Sequence, residues 1–243
     1  MGGSNQQQRW SPRNLQFWRG GIGRCLIMAC LVVPQAGMAS LYRFDDSGYL
    51  GAAQLMPDWS DTLRRQHAAG SDLIRCSDGE RACERRKKSL HVLLTKARAL
   101  SPDRQIKLIN RYVNKRRYRR DRTTRLVTDL ADEPVKYRSR WSTVGEFLRR
   151  GGDCEDYATT KYFLLRELGF TAEQLRVVVT YDRSARAHHA VLALERDDDE
   201  VWLLETDNSI KTRSHSGYRY IYAMNENSIW DHAESTARSA GGR

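Results

Sequence analysis

The 243-residue chain has little cysteine, proline or phenylalanine, five of each, and only 9% aromatic residues. Five cysteines in this length are too few for a disulfide-built mini-protein, and neither a collagen repeat nor a long heptad array is present. Long apolar runs are also missing. The nine residues of Cys25–Val33 fall well short of the ~20 that span a bilayer as a helix. Acids are missing from residues 1–39 altogether. What is present is 40% hydrophobic and 29% charged residues, enough for a self-supporting core, which excludes a disordered chain. A formal charge of +11 invites a nucleic-acid reading that the rest of the sequence has to test.

Much of that charge sits at the start. Arg9, Arg13, Arg19 and Arg24 precede the apolar run, and Gly37 and Ala39 supply small residues before Ser40. This order of basic, apolar and small residues predicts a secretory signal over 1–39, cleaved before Ser40. A single membrane anchor and lipid attachment at Cys30 are the weaker rivals. Cleavage removes four of the 41 basic residues and none of the 30 acids, leaving 37 against 30, a charge of +7. It also removes Cys25 and Cys30 and leaves Cys76, Cys83 and Cys154. In an oxidising compartment Cys76 and Cys83 can close a short loop and leave Cys154 as the free thiol; three free thiols is the alternative.

The exported chain reads as one domain over 40–232 with a polar tail over 233–243. Apolar spacing predicts helices over 58–66, 83–100, 102–117 and 153–168, the last ended by Gly169. Short β-rich runs follow at 175–180, 189–194, 201–205 and 218–224, with a polar turn over 195–200 making a hairpin. Helices first, then a helix on an antiparallel sheet, is an α+β layout. Between the halves, 115–125 carries seven basic residues and one acid around Tyr118. Such a run either neutralises phosphates or is a solvated helix end, and export favours the second.

Gly151-Gly-Asp-Cys-Glu-Asp156 is the most informative stretch. The glycines allow a tight entry, Asp153 is a good N-cap, and Cys154 falls on the first helical turn, where free N–H groups and the helix dipole favour a thiolate. An inert buried cysteine is the bland reading. Asp153, Glu155 and Asp156 oppose ionisation, so a positive partner is required, either a protonated histidine or a hard cation on carboxylate oxygens. Of six histidines, His189 opens an apolar strand; His188 is its neighbour and rival. Asp207, after the next strand, is expected across the ladder from His189, with Glu205 and Asn208 competing for the orienting role. Nucleophile, base and orienter would then be Cys154, His189 and Asp207. The backbone N–H of Cys154 and the Trp141 indole are the candidate oxyanion donors.

Trp141-Ser-Thr-Val-Gly-Glu-Phe-Leu148, Gly152-Asp-Cys-Glu-Asp-Tyr-Ala158, Lys161-Tyr162, Leu168-Gly169, His189-Ala-Val-Leu192 and Asp207-Asn208 together resemble the bacterial transglutaminase-like cysteine proteinases, and among them the LapG type. Met56–Trp59, Asn110, Asn114 and Met224–Trp230 add weaker echoes, so the likeness covers nearly the whole exported chain. The resemblance implies a papain-like or transglutaminase-like fold and a Cys154, His189 and Asp207 triad. It implies calcium held by Asp153 and Glu155, with Asp156 as a further ligand. It also implies a periplasmic endopeptidase that cuts a large repeat-containing surface adhesin near its N-terminus, at paired alanines, and releases biofilm. An inner-membrane cyclic di-GMP receptor of the LapD type would hold it inactive. The chain departs from the family pattern at Val144, where proline is usual, and in a longer, more basic link to Trp141. A transglutaminase or amidase with the same trio, and a non-enzymatic basic protein binding an anionic polymer through 115–125, are the rival functions.

Overall fold

The computed structural model describes residue 44 and residues 48–120, 140–196, 200–212 and 217–232. The expected signal over 1–39, the tail over 233–243 and residues 121–125 of the basic run lie outside the described residues. Among the described residues no helix is long and apolar enough to cross a membrane.

The order is strand β1 (Tyr49–Ala52), helices α1 (Pro57–His67), α2 (Arg81–Arg98), α3 (Pro102–Asn114), α4 (Val144–Arg150) and α5 (Cys154–Glu167), then strands β2 (Leu175–Asp182), β3 (Ala187–Glu195), β4 (Val201–Leu204), β5 (Ile210–Lys211), β6 (Tyr218–Met224) and β7 (Ser228–Asp231). The strands form one sheet in the order β1-β7-β6-β2-β3-β4-β5, and every pairing is antiparallel. This is the α+β architecture expected from the sequence. The period-2 pattern of β3 puts Leu192 and Leu194 in the larger core with the helices, and Val191 and Ala193 in a smaller cluster on the other face.

Helix α5 is buried continuously from Asp156 to Leu165. A helix surrounded on all sides is a central scaffold rather than an amphipathic cover. Trp59 of α1 is fully buried beside it; its ring lies 5.5 Å from Tyr162 and 5.7 Å from Phe163, and its indole N–H donates to the Asn225 carbonyl at 2.8 Å.

Helix α4 was not expected from apolar spacing, yet its start is written in the sequence. Thr143 and Glu146 form a capping box, each side chain taking the other's backbone N–H. Val144, the position at which proline was expected from the resemblance, uses its N–H to donate to Gln66 Oε1 at 2.8 Å. Proline has no N–H to give, so here Gln66 and Val144 form one pair joining α1 to α4.

Cys76 and Cys83 are joined in a disulfide with Cα atoms 5.6 Å apart, across a separation of seven residues. Closing so short a loop restricts the unfolded chain modestly, by about 2 kcal/mol. Replacing both cysteines by alanine should therefore lower the urea-unfolding free energy by about that much. Dithiothreitol should do the same to the wild type; equal midpoints with and without reductant would show that the bridge contributes nothing.

Candidate active site

The nucleophile candidate is placed by a crowded turn. Gly151 has φ +75°, and a Cβ on it would collide with the Arg117 carbonyl oxygen. A Cβ on Gly152 would collide with the Asp156 carboxylate. The pair thus lets two chain segments close on the start of α5, with Asp153 in extended conformation at its N-cap. Cys154 follows as the first helical residue and the only free cysteine among the described residues. Its backbone N–H makes no intrahelical bond, as expected of a first-turn donor, which leaves it available to an oxyanion.

Across from it runs β3. Helix α5 packs on this strand, and the backbone N–H of Ala190, the residue next to His189, favours the thiolate of Cys154. Burial, then the charges of Glu155 and Asp153, push the thiol up to about 12, against the helping Ala190 bond. This is the direction foreseen from the acidic neighbours, and burial adds to it.

His189 is partly exposed, its side chain 20% accessible, and its Nε2 lies 2.9 Å from Glu205 Oε2. His188 is exposed, with its ring against Tyr181. The histidine's carboxylate partner is thus Glu205, not the expected Asp207. The reason is where β4 stops. The β3–β4 register pairs Leu192 with Leu204, and an uninterrupted ladder would bring residue 207 opposite residue 189. Instead the Glu205 N–H bonds to the Ser209 carbonyl at 3.1 Å, closing a turn into β5. Asp207 is carried onto that turn, exposed, where its Oδ1 accepts from Ser209 N at 2.9 Å and Ser209 Oγ at 2.6 Å. Asn208, at φ +72°, occupies the left-handed position of the same turn.

Glu205 is tightly held. Its Oε1 accepts from Tyr218 OH at 2.5 Å and lies 3.1 Å from Lys211 Nζ. Burial alone would raise the carboxyl, but the His189 and Tyr218 hydrogen bonds and the His189 and Lys211 charges bring it below the usual carboxylate range. Because the carboxylate is charged and only accepts, His189 Nε2 must carry the proton and Nδ1 is the basic nitrogen.

Beneath, Lys161 Nζ is fully buried and donates to the carbonyls of Glu205 at 2.7 Å and Leu204 at 3.3 Å. Asn114 Nδ2 adds a second bond to the Glu205 carbonyl at 2.7 Å, and Asn110 Nδ2 holds the Asn208 carbonyl at 3.2 Å. Lys161 lies seven residues after Cys154, two helical turns along one face. One helix therefore sets both the thiol and the strand end that carries Glu205. Desolvation lowers the Lys161 ammonium to about 7, against the pull of Glu205 and Asp207. The sequence signal for this residue was a lysine inside the apolar stripe of a helix, a position where a charge needs buried acceptors.

The three acidic residues of the turn do not act alike. Glu155 Oε2 accepts from Cys154 Sγ at 3.4 Å, and Asp153 and Glu155 stay half-buried beside the thiol. Asp156 is buried, its Oδ1 accepting from Ser142 N–H at 2.6 Å, so it ties the approach to α4 onto α5. Among the described residues no group of three or more His, Cys, Asp or Glu side chains is gathered for a metal ion. Trp141, the other oxyanion candidate, is buried with its ring 5.9 Å from Trp59, and its carbonyl accepts from Thr62 Oγ1 and Arg65 Nη2.

A family model described as the bacterial transglutaminase-like cysteine proteinases (BTLCP) matches residues 73–237. The chain belongs to this family. The match takes in both elements of the site, the start of α5 and the β3–β4 hairpin. Among solved structures, Legionella pneumophila LapG in its calcium-bound form is similar with a TM-score of 0.51 and 22% identity, over 71% of this chain and 86% of that one. A second LapG structure matches with a TM-score of 0.51 and 23% identity, over 74% and 92%. An EGTA-treated LapG matches with a TM-score of 0.51 and 24% identity, over 70% and 84%. These likenesses support the transglutaminase-like proteinase fold. No curated protein matches the sequence significantly.

Proposed function

We propose that this member of the family is an exported, calcium-dependent cysteine endopeptidase whose nucleophile, base and orienter are Cys154, His189 and Glu205. What supports the reading is that the helix opened by Cys154 packs against the strand that carries His189, and that His189 is paired through Nε2 to a buried carboxylate. His189 Nδ1 takes the thiol proton as sulfur attacks a peptide carbonyl, and the backbone N–H of Cys154 stabilises the oxyanion. The imidazolium then protonates the leaving amine, and His189 activates water to hydrolyse the thioester. Glu205 holds the ring and its tautomer throughout.

The carboxylates of Asp153 and Glu155 offer hard oxygen donors of the kind calcium takes, while Asp156 is committed to Ser142. Calcium bound there would offset their field at the sulfur. That LapG has been solved calcium-bound and EGTA-treated adds to this reading. The basic and apolar start of the chain favours a periplasmic location. Resemblance to the LapG type extends the proposal to a large surface adhesin as substrate, to biofilm release, and to an inhibitory cyclic di-GMP receptor of the LapD type.

The test is product mass spectrometry on an adhesin N-terminal fragment, with and without EGTA. Cleaved chain is expected, slowed at least about tenfold by the chelator and restored by calcium but not magnesium. Crosslinked or deamidated product would instead identify a transglutaminase or amidase, and cleavage indifferent to EGTA would remove calcium from the scheme.

A further inference from the structure

The basic run that follows α3 begins within the described residues, and its course is tied to the nucleophile turn. Tyr118 makes a parallel β-bridge with Gly152, and the Arg119 N–H donates to the Gly152 carbonyl at 2.8 Å. Tyr157 OH donates to the Arg116 carbonyl at 2.5 Å, and the Tyr118 ring lies 6.0 Å from that of Tyr157. This segment is therefore a short extended strand laid against the two glycines that precede Asp153 and Cys154. In such a strand successive residues direct their backbone groups to opposite sides. Since Arg119 reaches toward Gly152, the N–H and C=O of Tyr118 face away from it, and no hydrogen bond within the described residues uses either group. Tyr118 is 47% exposed, one of few large hydrophobic residues among the described ones so open to solvent. Its bridge partner Gly152 stands two residues before Cys154, which brings Tyr118 to the nucleophile turn.

We propose that Tyr118 is a substrate-binding residue: its backbone edge, unused among the described residues, pairs with an extended polypeptide, and its ring forms the wall for the side chain next to the cleaved bond. The inference rests on the endopeptidase reading above. An open strand edge beside a nucleophile gives an extended chain both register and main-chain hydrogen bonds, while the neighbouring side-chain wall supplies selectivity. The occupant is an unfolded or extended stretch of protein, because the bond offered to Cys154 has to be free of a ladder of its own while its neighbours pair with Tyr118. Nothing in this arrangement moves a proton, so the contribution falls on binding.

A library of quenched-fluorescent peptides is screened with the full-length wild type, and the best-cut peptide is followed with Tyr118→Ala, Tyr118→Leu and Tyr118→Phe. Alkylation of Cys154 by iodoacetamide serves as an independent measure of the thiol. Tyr118→Ala should raise KM about tenfold with kcat changed less than about twofold, Tyr118→Leu should fall between, Tyr118→Phe should match the wild type, and the alkylation rate should hold. Methylating the peptide's backbone nitrogens one at a time should pick out a single amide whose loss raises KM about tenfold; this arm needs no variant of the protein. An unchanged KM in Tyr118→Ala, or a methylation scan without such a position, overturns the proposal. So does alkylation that falls in step with activity, since Tyr118 would then serve the thiol. If the wild type cuts no peptide, the endopeptidase reading fails and this inference with it; cleavage indifferent to Tyr118 defeats the inference alone.

Discussion

Cys154→Ala is expected to be folded and without turnover, kcat/KM falling by at least about 10⁴-fold. The two halves of this expectation have separate physical grounds. Activity depends on sulfur as the atom that forms the acyl bond, and no other cysteine among the described residues is free to replace it. Stability does not, because the position is only partly buried and the thiol gives the fold little beyond a weak acceptor for Ala190 N–H. Removing a group crowded by Glu155 and Asp153 should change the unfolding free energy by less than about 1 kcal/mol. Thermal unfolding and the peptide assay on one preparation check both. Residual cleavage above about one part in 10³ would exclude Cys154 as the nucleophile, whereas a collapsed melting temperature would make it a structural residue.

The two halves of the site were unequally legible in the sequence. Cys154 stood out because the cues are local: paired glycines, an N-cap and a helix start occupy consecutive residues, and the structure keeps that order along 151–154. His189 was found by the strand it opens. The orienter was not settled locally, because it depends on the residue at which β4 stops pairing. Continuing the ladder by two-residue steps leads to Asp207, but the turn closed by Glu205 N–H and Ser209 ends it at Leu204. Only tertiary contacts fix that end, and they come from Asn114 on α3 and Lys161 on α5, remote in sequence. The same holds for the strands that were not anticipated. β1, β5 and β7 have four, two and four residues, too short for periodicity to show.

That dependence on remote contacts makes the hairpin end the place to separate Glu205 from Asp207. Glu205→Gln should lower kcat/KM on the order of 10³-fold, because an amide facing His189 can turn its NH₂ toward the ring and favour the tautomer whose Nδ1 carries the proton. Asp207→Asn should stay within about threefold, since asparagine still accepts from Ser209. The reverse ranking would restore Asp207 as the orienter. The acid limb of stability gives a second readout. The folded Glu205 carboxyl lies below its unfolded value, so its stabilisation is present above the usual carboxylate range and is lost as pH falls through the folded value. Urea-unfolding curves of Glu205→Gln should lack that component, while Asp207→Asn should retain it. Lys161→Met then tests whether the carboxylate needs its support. Methionine fills the buried volume but leaves the Leu204 carbonyl without its lysine donor and the Glu205 carbonyl with Asn114 alone. Activity should fall about tenfold or more through loosened placement of Glu205, and alkylation of Cys154 by iodoacetamide should slow with it, since the same imidazole takes the thiol proton. Desolvation holds the Lys161 ammonium near 7 in the folded chain, far below its unfolded value. Wild-type stability therefore gains a component as pH rises from there toward the unfolded lysine range, and the methionine variant should lose it.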